Sequence, residues 1–174
     1  MKIILLISLI VTNPWILDFG NKNQEIDWNI VNDGVMGGKS ESEAFLLENS
    51  LLFKGTLSLE NNGGFASIRS PYEDYNFSDA EFIEIKYRSE GGDFNFRLEQ
   101  SRYFFNPYLA MTLPQSSKWT VQKIKTSELK VLKMGKELGV VKQDQEINAR
   151  RLSIMKSDKQ PGPFQIEIDY IKIY

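Results

Sequence analysis

The sequence predicts an all-β sandwich with at most one short peripheral helix, and three observations carry that prediction. About nine segments alternate apolar with polar residues at a period of two, which puts one strand face on a core and the other in water. Turn signals such as Asp33-Gly34, Asn62-Gly63 and Pro161-Gly162-Pro163 punctuate them. Only one stretch spaces its apolar residues like a helix. Many short strands with regular turns bury their apolar faces by packing as two sheets.

Residues 1–14 place Lys2 before the apolar run 3–11, which ends at Thr12-Asn13-Pro14. A bilayer-spanning helix needs about 20 apolar residues. The run is too short for that and fits the core of a secretory signal. Export to the periplasm or envelope is the expectation; the alternative is a cytoplasmic chain that starts on a buried strand. One sandwich domain then covers residues 15–174, long enough to bury roughly two-thirds of its extended surface.

Within that domain, residues 15–19 make a short apolar strand, and Trp28 and Ile30 share a strand face that reads as core. Residues 51–59 put Leu51, Phe53, Gly55, Leu57 and Leu59 on one side. After Asn62-Gly63, Phe65, Ser67 and Arg69 face one way while Ala66 and Ile68 face the other. Residues 82–88 turn Ile83, Ile85 and Tyr87 inward. A turn at 90–93 leads to Phe94, Phe96 and Leu98, with Asn95, Arg97 and Glu99 facing away, so the two runs read as a hairpin. Strands follow at 109–113 and 119–124. The helical turn is 127–134, with Ser127 as N-cap, Leu129 and Leu132 at helical spacing and Gly135 as the stop. Strands at 151–155 and 164–174 close the chain. In the last, Phe164, Ile166 and Ile168 have one parity and Ile171 and Ile173 the other, which calls for a bulge near Tyr170 or burial of both faces.

Composition narrows the chemistry. The chain has no cysteine and no histidine, which removes thiol nucleophiles, Ser-His-Asp triads and most zinc sites. Lys and Arg total 21 against 23 acids, so the basic excess of a nucleic-acid binder is missing and no nucleic-acid partner is expected.

Two blocks stand out: residues 28–40, WNIVNDGVMGGKS, and residues 61–69, NNGGFASIR. Paired glycines beside a turn signal mark positive φ or a close approach by another group. These blocks, with Leu59-Glu60 and the closing Gly162-Pro163-Phe164 and Glu167-Ile168-Asp169-Tyr170-Ile171, resemble the complex I intermediate-associated protein family over residues 16–174. The resemblance implies a galactose-binding-like jelly roll. It also implies assistance in assembling NADH:ubiquinone oxidoreductase, although the apolar start and the lack of an arginine-rich presequence point to a bacterial envelope protein. Fold carries across more safely than function.

The candidate binding residues are Asp33, Asn62, Arg69, Arg97, Tyr103 and Tyr108. Asp33 and Arg69 come from the two blocks, and an ion pair or shared polar pocket between them is one reading. The other is an Asp33 that satisfies its own turn and an Arg69 paired on its own sheet. Asn62 reads first as a turn former. Tyr103, Phe104, Phe105 and Tyr108 cannot all point inward from one strand. A ring left exposed beside Arg97 or Arg102 can stack on a sugar or anchor a protein. Among the carboxylates of Asp33, Glu60, Glu99 and Asp169, nothing selects a pair at the roughly 5–10 Å a glycosidase uses. No catalytic residue, metal or cofactor is expected. The first expectation is a non-enzymatic assembly-factor domain docking a protein partner, such as a respiratory-complex or membrane assembly intermediate. The alternative is a carbohydrate-binding module of the cell envelope.

Overall fold

The computed structural model describes residues 14–21, 27–142 and 145–174, so the signal expected at residues 1–14 lies outside it except for Pro14. The strands are β1 (Trp15–Asp18), β2 (Asn29–Asn32), β3 (Glu41–Leu46), β4 (Leu51–Leu57), β5 (Ala66–Arg69), β6 (Tyr75–Asn76), β7 (Phe82–Glu90) and β8 (Phe94–Glu99). They continue as β9 (Tyr108–Leu113), β10 (Thr120–Lys125), β11 (Lys130–Lys133), β12 (Lys136–Val140), β13 (Asn148–Ala149), β14 (Arg151–Lys156) and β15 (Gly162–Ile173). Short 3-10 turns at Asp33–Met36, Glu60–Asn62 and Thr126–Glu128 are the only helical pieces among the described residues. The count of fifteen exceeds the expected nine or so because β3, β12 and the two-residue β6 and β13 carry weak alternation, and because β11 stands where a helix was expected.

Two antiparallel sheets form the sandwich. One has the order β10-β7-β15-β4-β3, with β1 also paired to β15; the other has the order β12-β11-β9-β8-β14-β5-β2. The long β15 organises the first sheet, because β4 pairs with residues 162–168, β1 with residues 170–173, and β7 runs along its opposite edge. Its register against β7 shifts between Ile168 and Tyr170. That is the bulge the parity switch required, and it keeps Ile166, Ile168, Ile171 and Ile173 all buried.

Between the sheets, Phe53, Ile83, Ile85 and Tyr87 meet Phe94, Phe96, Leu98, Leu109, Leu152 and Ile154, all essentially inaccessible. Each such side chain contributes roughly 1.5–3 kcal/mol on burial. Phe164 ties the layers, its ring 5.4 Å from Phe53 on its own sheet and 5.9 Å from Phe94 on the other. The Tyr87 hydroxyl donates to the Pro114 carbonyl at 2.7 Å, so that buried oxygen is satisfied. Trp28 is half-buried and edge-on to Phe19 at 6.1 Å, while Ile30 is 40% exposed on an edge strand.

Three local expectations change. Residues 82–88 and 94–98 do not pair: β7 lies between β10 and β15 in one sheet, and β8 between β9 and β14 in the other. Gly91 and Gly92, at φ +82° and +103°, carry the chain from one layer to the other. The expected helix at 127–134 is a hairpin instead. Leu129 points into the core, β11 and β12 pair, and Met134-Gly135 at φ +48° and +78° forms the tight turn that suits strand twist. Leu59 lies past the end of β4 and is 43% exposed.

Candidate functional site

The two motif blocks meet at Asp33. Its carboxylate is 1% exposed and accepts hydrogen bonds from the Ser40 amide at 2.9 Å, the Ser40 hydroxyl at 2.6 Å, and the amides of Gly64 and Phe65 at 2.6 and 3.2 Å. The glycines divide the work. Gly37 and Gly64 hold φ +87° and +126°, whereas a β-carbon on Gly38 would overlap the Asp33 carboxylate, and one on Gly63 would sit 2.6 Å from its Oδ2. Burial pushes the Asp33 carboxyl up, but the Ser40, Gly64 and Phe65 hydrogen bonds together outweigh it and leave its pKa below the ordinary value. Asn61 and Asn62 turn the chain at φ +56° and +59°, and the Asn61 amide donates to the Gly37 carbonyl. These residues therefore form a clasp between two loops. An open groove of about 1150 Å³ runs beside it, past Lys39, Ser40, Thr56, Glu60 and Pro161, but the Asp33 carboxylate is sealed away from it.

Arg69 lies elsewhere, and no Asp33–Arg69 ion pair forms. Strand alternation sends Arg69 to the outer face of the seven-stranded sheet, away from the core. Register lines up Asn29, Arg69, Ser153, Arg97, Ala110 and Lys130 across six strands. The next row places Arg151 opposite Glu99 and Glu99 opposite Tyr108. Ser67, Ser153 and Ala110 are short and buried, so they form a floor beneath longer side chains.

Glu99 is fully engaged there. It accepts from Arg151 Nε at 2.9 Å and from the Ser153 hydroxyl at 2.9 Å. Arg151 also lies over the Tyr72 ring at 4.3 Å, and Arg102 approaches the same ring at 5.1 Å. Arg97 stacks on Tyr108 at 4.6 Å. The Arg97 Nε and the Tyr108 hydroxyl are both buried and without a hydrogen-bond partner. Burial lowers the pKa of the Arg97 guanidinium, with Tyr108 and Glu99 opposing. Buried polar atoms left unpaired are rare in a finished interior.

The loop between β8 and β9 rims this face. Tyr103 and Phe105 stack at 5.5 Å, with Phe104 edge-on to Phe105 at 5.6 Å, and Tyr103 and Phe104 are 65% and 80% exposed. Arg69, Arg97 and Tyr108 thus come together with Tyr103 on the adjoining loop, while Asp33 and Asn62 belong to the clasp. The other carboxylates considered are also held: Glu60 by Lys39 at 2.5 Å and Asp169 by Lys86 at 2.7 Å. Among the described residues no cluster of three or more His, Cys, Asp or Glu stands ready for a metal. Sequence reasoning missed Arg151, Ser153 and Tyr72. The outward parity of Arg151 and Ser153 in the run RLSIM was the available signal.

The family model described as complex I intermediate-associated protein 30 matches residues 17–168. The chain belongs to this family. Both motif blocks lie inside the match, so the Asp33 clasp is a feature of this family member's fold. Comparison with curated protein sequences gives no match. Among solved structures, the chain is similar to a family 11 carbohydrate-binding module from Clostridium thermocellum in complex with a β-1,3-1,4-mixed-linked tetrasaccharide. That pair has 17% identity, a TM-score of 0.65, and coverage of 92% of this chain and 94% of that one. The family 11 module of the Clostridium thermocellum cellulase Lic26A-Cel5E gives 16% identity, a TM-score of 0.66 and the same coverage. The agarase AgWH50C gives 11% identity and a TM-score of 0.59 over 90% of this chain, corresponding to 25% of the enzyme. At such identities these likenesses report the sandwich fold of this family member and nothing finer.

Proposed function

We propose that this chain is a non-catalytic binding domain that takes a saccharide across the outer face of its seven-stranded sheet. The observation that carries the reading is the cluster of three arginines on that face, Arg69, Arg97 and Arg151, with Arg97 stacked on Tyr108 and Arg151 on Tyr72. Oxygen-rich ligands supply acceptors for guanidinium donors, and the exposed Tyr103 and Phe104 rings offer faces for sugar C–H groups. The fold shared with carbohydrate-binding modules supports the reading as analogy. Its proposed location is the cell envelope, where polysaccharide is at hand.

A glycan array followed by calorimetric titration tests this proposal. Saturable binding that Arg97→Met weakens about tenfold, with the chain melting no earlier than its parent, is the expected result; an array blank for every saccharide refutes it.

A second reading has its own observation: Phe104 and Tyr103 project into solvent on the β8–β9 loop, as anchors for a protein partner do. Family membership adds a respiratory-complex assembly intermediate as the partner to try. Loss of association with that intermediate on Phe104→Ser, with saccharide binding intact, would favour it.

A further inference from the structure

Resting on the saccharide reading, we propose that the preferred ligand is an anionic sugar, a uronate carboxylate or a sugar sulfate, whose oxyanion sits between Arg69 and Arg97. The first argument is charge. The site holds three arginines, Arg69, Arg97 and Arg151, and one carboxylate, Glu99, which Arg151 already takes with help from Ser153. The Nε of Arg69 donates to the Ser67 hydroxyl at 2.8 Å and Nη2 of Arg97 to the Ser157 hydroxyl at 3.2 Å. Neither arginine has a carboxylate partner among the described residues. Half-buried cations without an anion are unfavourable, and a bound oxyanion removes that penalty.

Geometry is the second argument. Arg69 and Arg97 flank Ser153 in one row, so their Cα atoms lie about 10 Å apart, two strand spacings. Ser153, between them, is buried with its hydroxyl donating to Glu99, so the oxyanion meets the two guanidinium groups from the solvent side of that layer. An arginine presents its donors as a planar fork that matches a carboxylate or sulfate edge, which a neutral hydroxyl does not. Tyr108, 7% exposed, stacks on the Arg97 guanidinium at 4.6 Å and fixes its position. The electrostatics agree. Burial lowers the Arg69 pKa, Glu99 partly restores it, and Arg151 and Arg97 lower it further, a strain that an added anion reverses.

The test titrates the full chain with an oligogalacturonate, the same oligosaccharide after carboxyl reduction, a sulfated galactan oligosaccharide, a neutral mixed-linked glucan oligosaccharide and inorganic sulfate. At least one acidic sugar should bind about tenfold or more tighter than any neutral one, with affinity falling as salt rises. Arg69→Met and Arg97→Met should each lose about tenfold in affinity while melting no earlier than the parent chain. Comparing uronate with sulfated ligands identifies the oxyanion, and tight binding of inorganic sulfate alone would overturn the sugar part. Equal affinity for the oligogalacturonate and its reduced form, with no tighter sulfated ligand, overturns the anionic inference and leaves the saccharide reading standing. Failure of every saccharide removes both. Should an Arg→Met variant fail to fold, the carboxyl-reduced ligand decides the matter on the parent chain.

Discussion

Replacing Asp33 with alanine should unlatch the two motif loops. Four donors converge on its carboxylate: the Ser40 amide and hydroxyl and the Gly64 and Phe65 amides. In Asp33→Ala the Ser40 hydroxyl can turn to the Ser58 carbonyl, 3.2 Å away, which leaves three backbone amides without acceptors. An unsatisfied buried donor costs about 1–3 kcal/mol, and water entering the gap restores part of it, so the expected loss is about 3–5 kcal/mol. For a chain of this length that lowers Tm by roughly 10 °C. Asp33→Asn separates charge from shape. Its carbonyl can replace Oδ2, which takes three of the four bonds, while its NH2 then opposes the Ser40 amide, so about 2 kcal/mol is expected. The pH dependence has a definite sign. The folded pKa of Asp33 lies below the unfolded value, so its contribution is complete above the unfolded pKa and disappears as pH falls through the folded one. The gap between parent and Asp33→Asn should therefore narrow on acidification. Urea unfolding across pH with a common m-value measures both. A loss below about 1 kcal/mol for Asp33→Ala would refute the clasp.

Three further outcomes follow from the same contacts. Gly38→Ala and Gly63→Ala should each cost about 2–3 kcal/mol by pushing a methyl group onto the Asp33 carboxylate. Either combined with Asp33→Ala should cost less than the sum, which a double-mutant cycle reads directly. Tyr108→Phe removes an orphaned buried hydroxyl and should leave stability unchanged or higher by up to about 1 kcal/mol, which urea unfolding measures. Lys156 is fully buried, pairs with Asp158 and lies 5.6 Å from the Phe94 ring centroid. Lys156→Met, which strands Asp158, should cost about 3–5 kcal/mol, and Lys156→Met with Asp158→Asn should recover part of it.

Much of the sandwich was legible because alternation is a local property. The runs that became β4, β5, β7 and β8 declared their inward faces, and the parity switch in β15 gave away its bulge. Pairing is not local. Nothing within residues 82–99 says that β7 prefers β15 and β10 to its neighbour in sequence, and two glycines read as a hairpin turn whether the chain folds back or crosses between layers. Residues 127–134 were misread because Leu129 and Leu132 satisfy helical spacing by coincidence, while Met134-Gly135 is the turn. At the site, Arg69, Arg97 and Tyr108 were found from parity and residue type. Their union with Arg151, Ser153 and Tyr72 depends on strand order, so of the two readings offered for Asp33 and Arg69 the ion pair fails, and an Asp33 that satisfies its own loop holds.

The most direct measurement of where this chain binds is amide chemical-shift mapping of the labelled protein titrated with the acidic oligosaccharide that binds it best. Perturbations confined to β5, β14, β8 and β9 and the loop at 100–107 are the predicted result. Perturbations along the groove past Lys39 and Thr56, or on the outer face of the six-stranded sheet, would contradict the placement of the site.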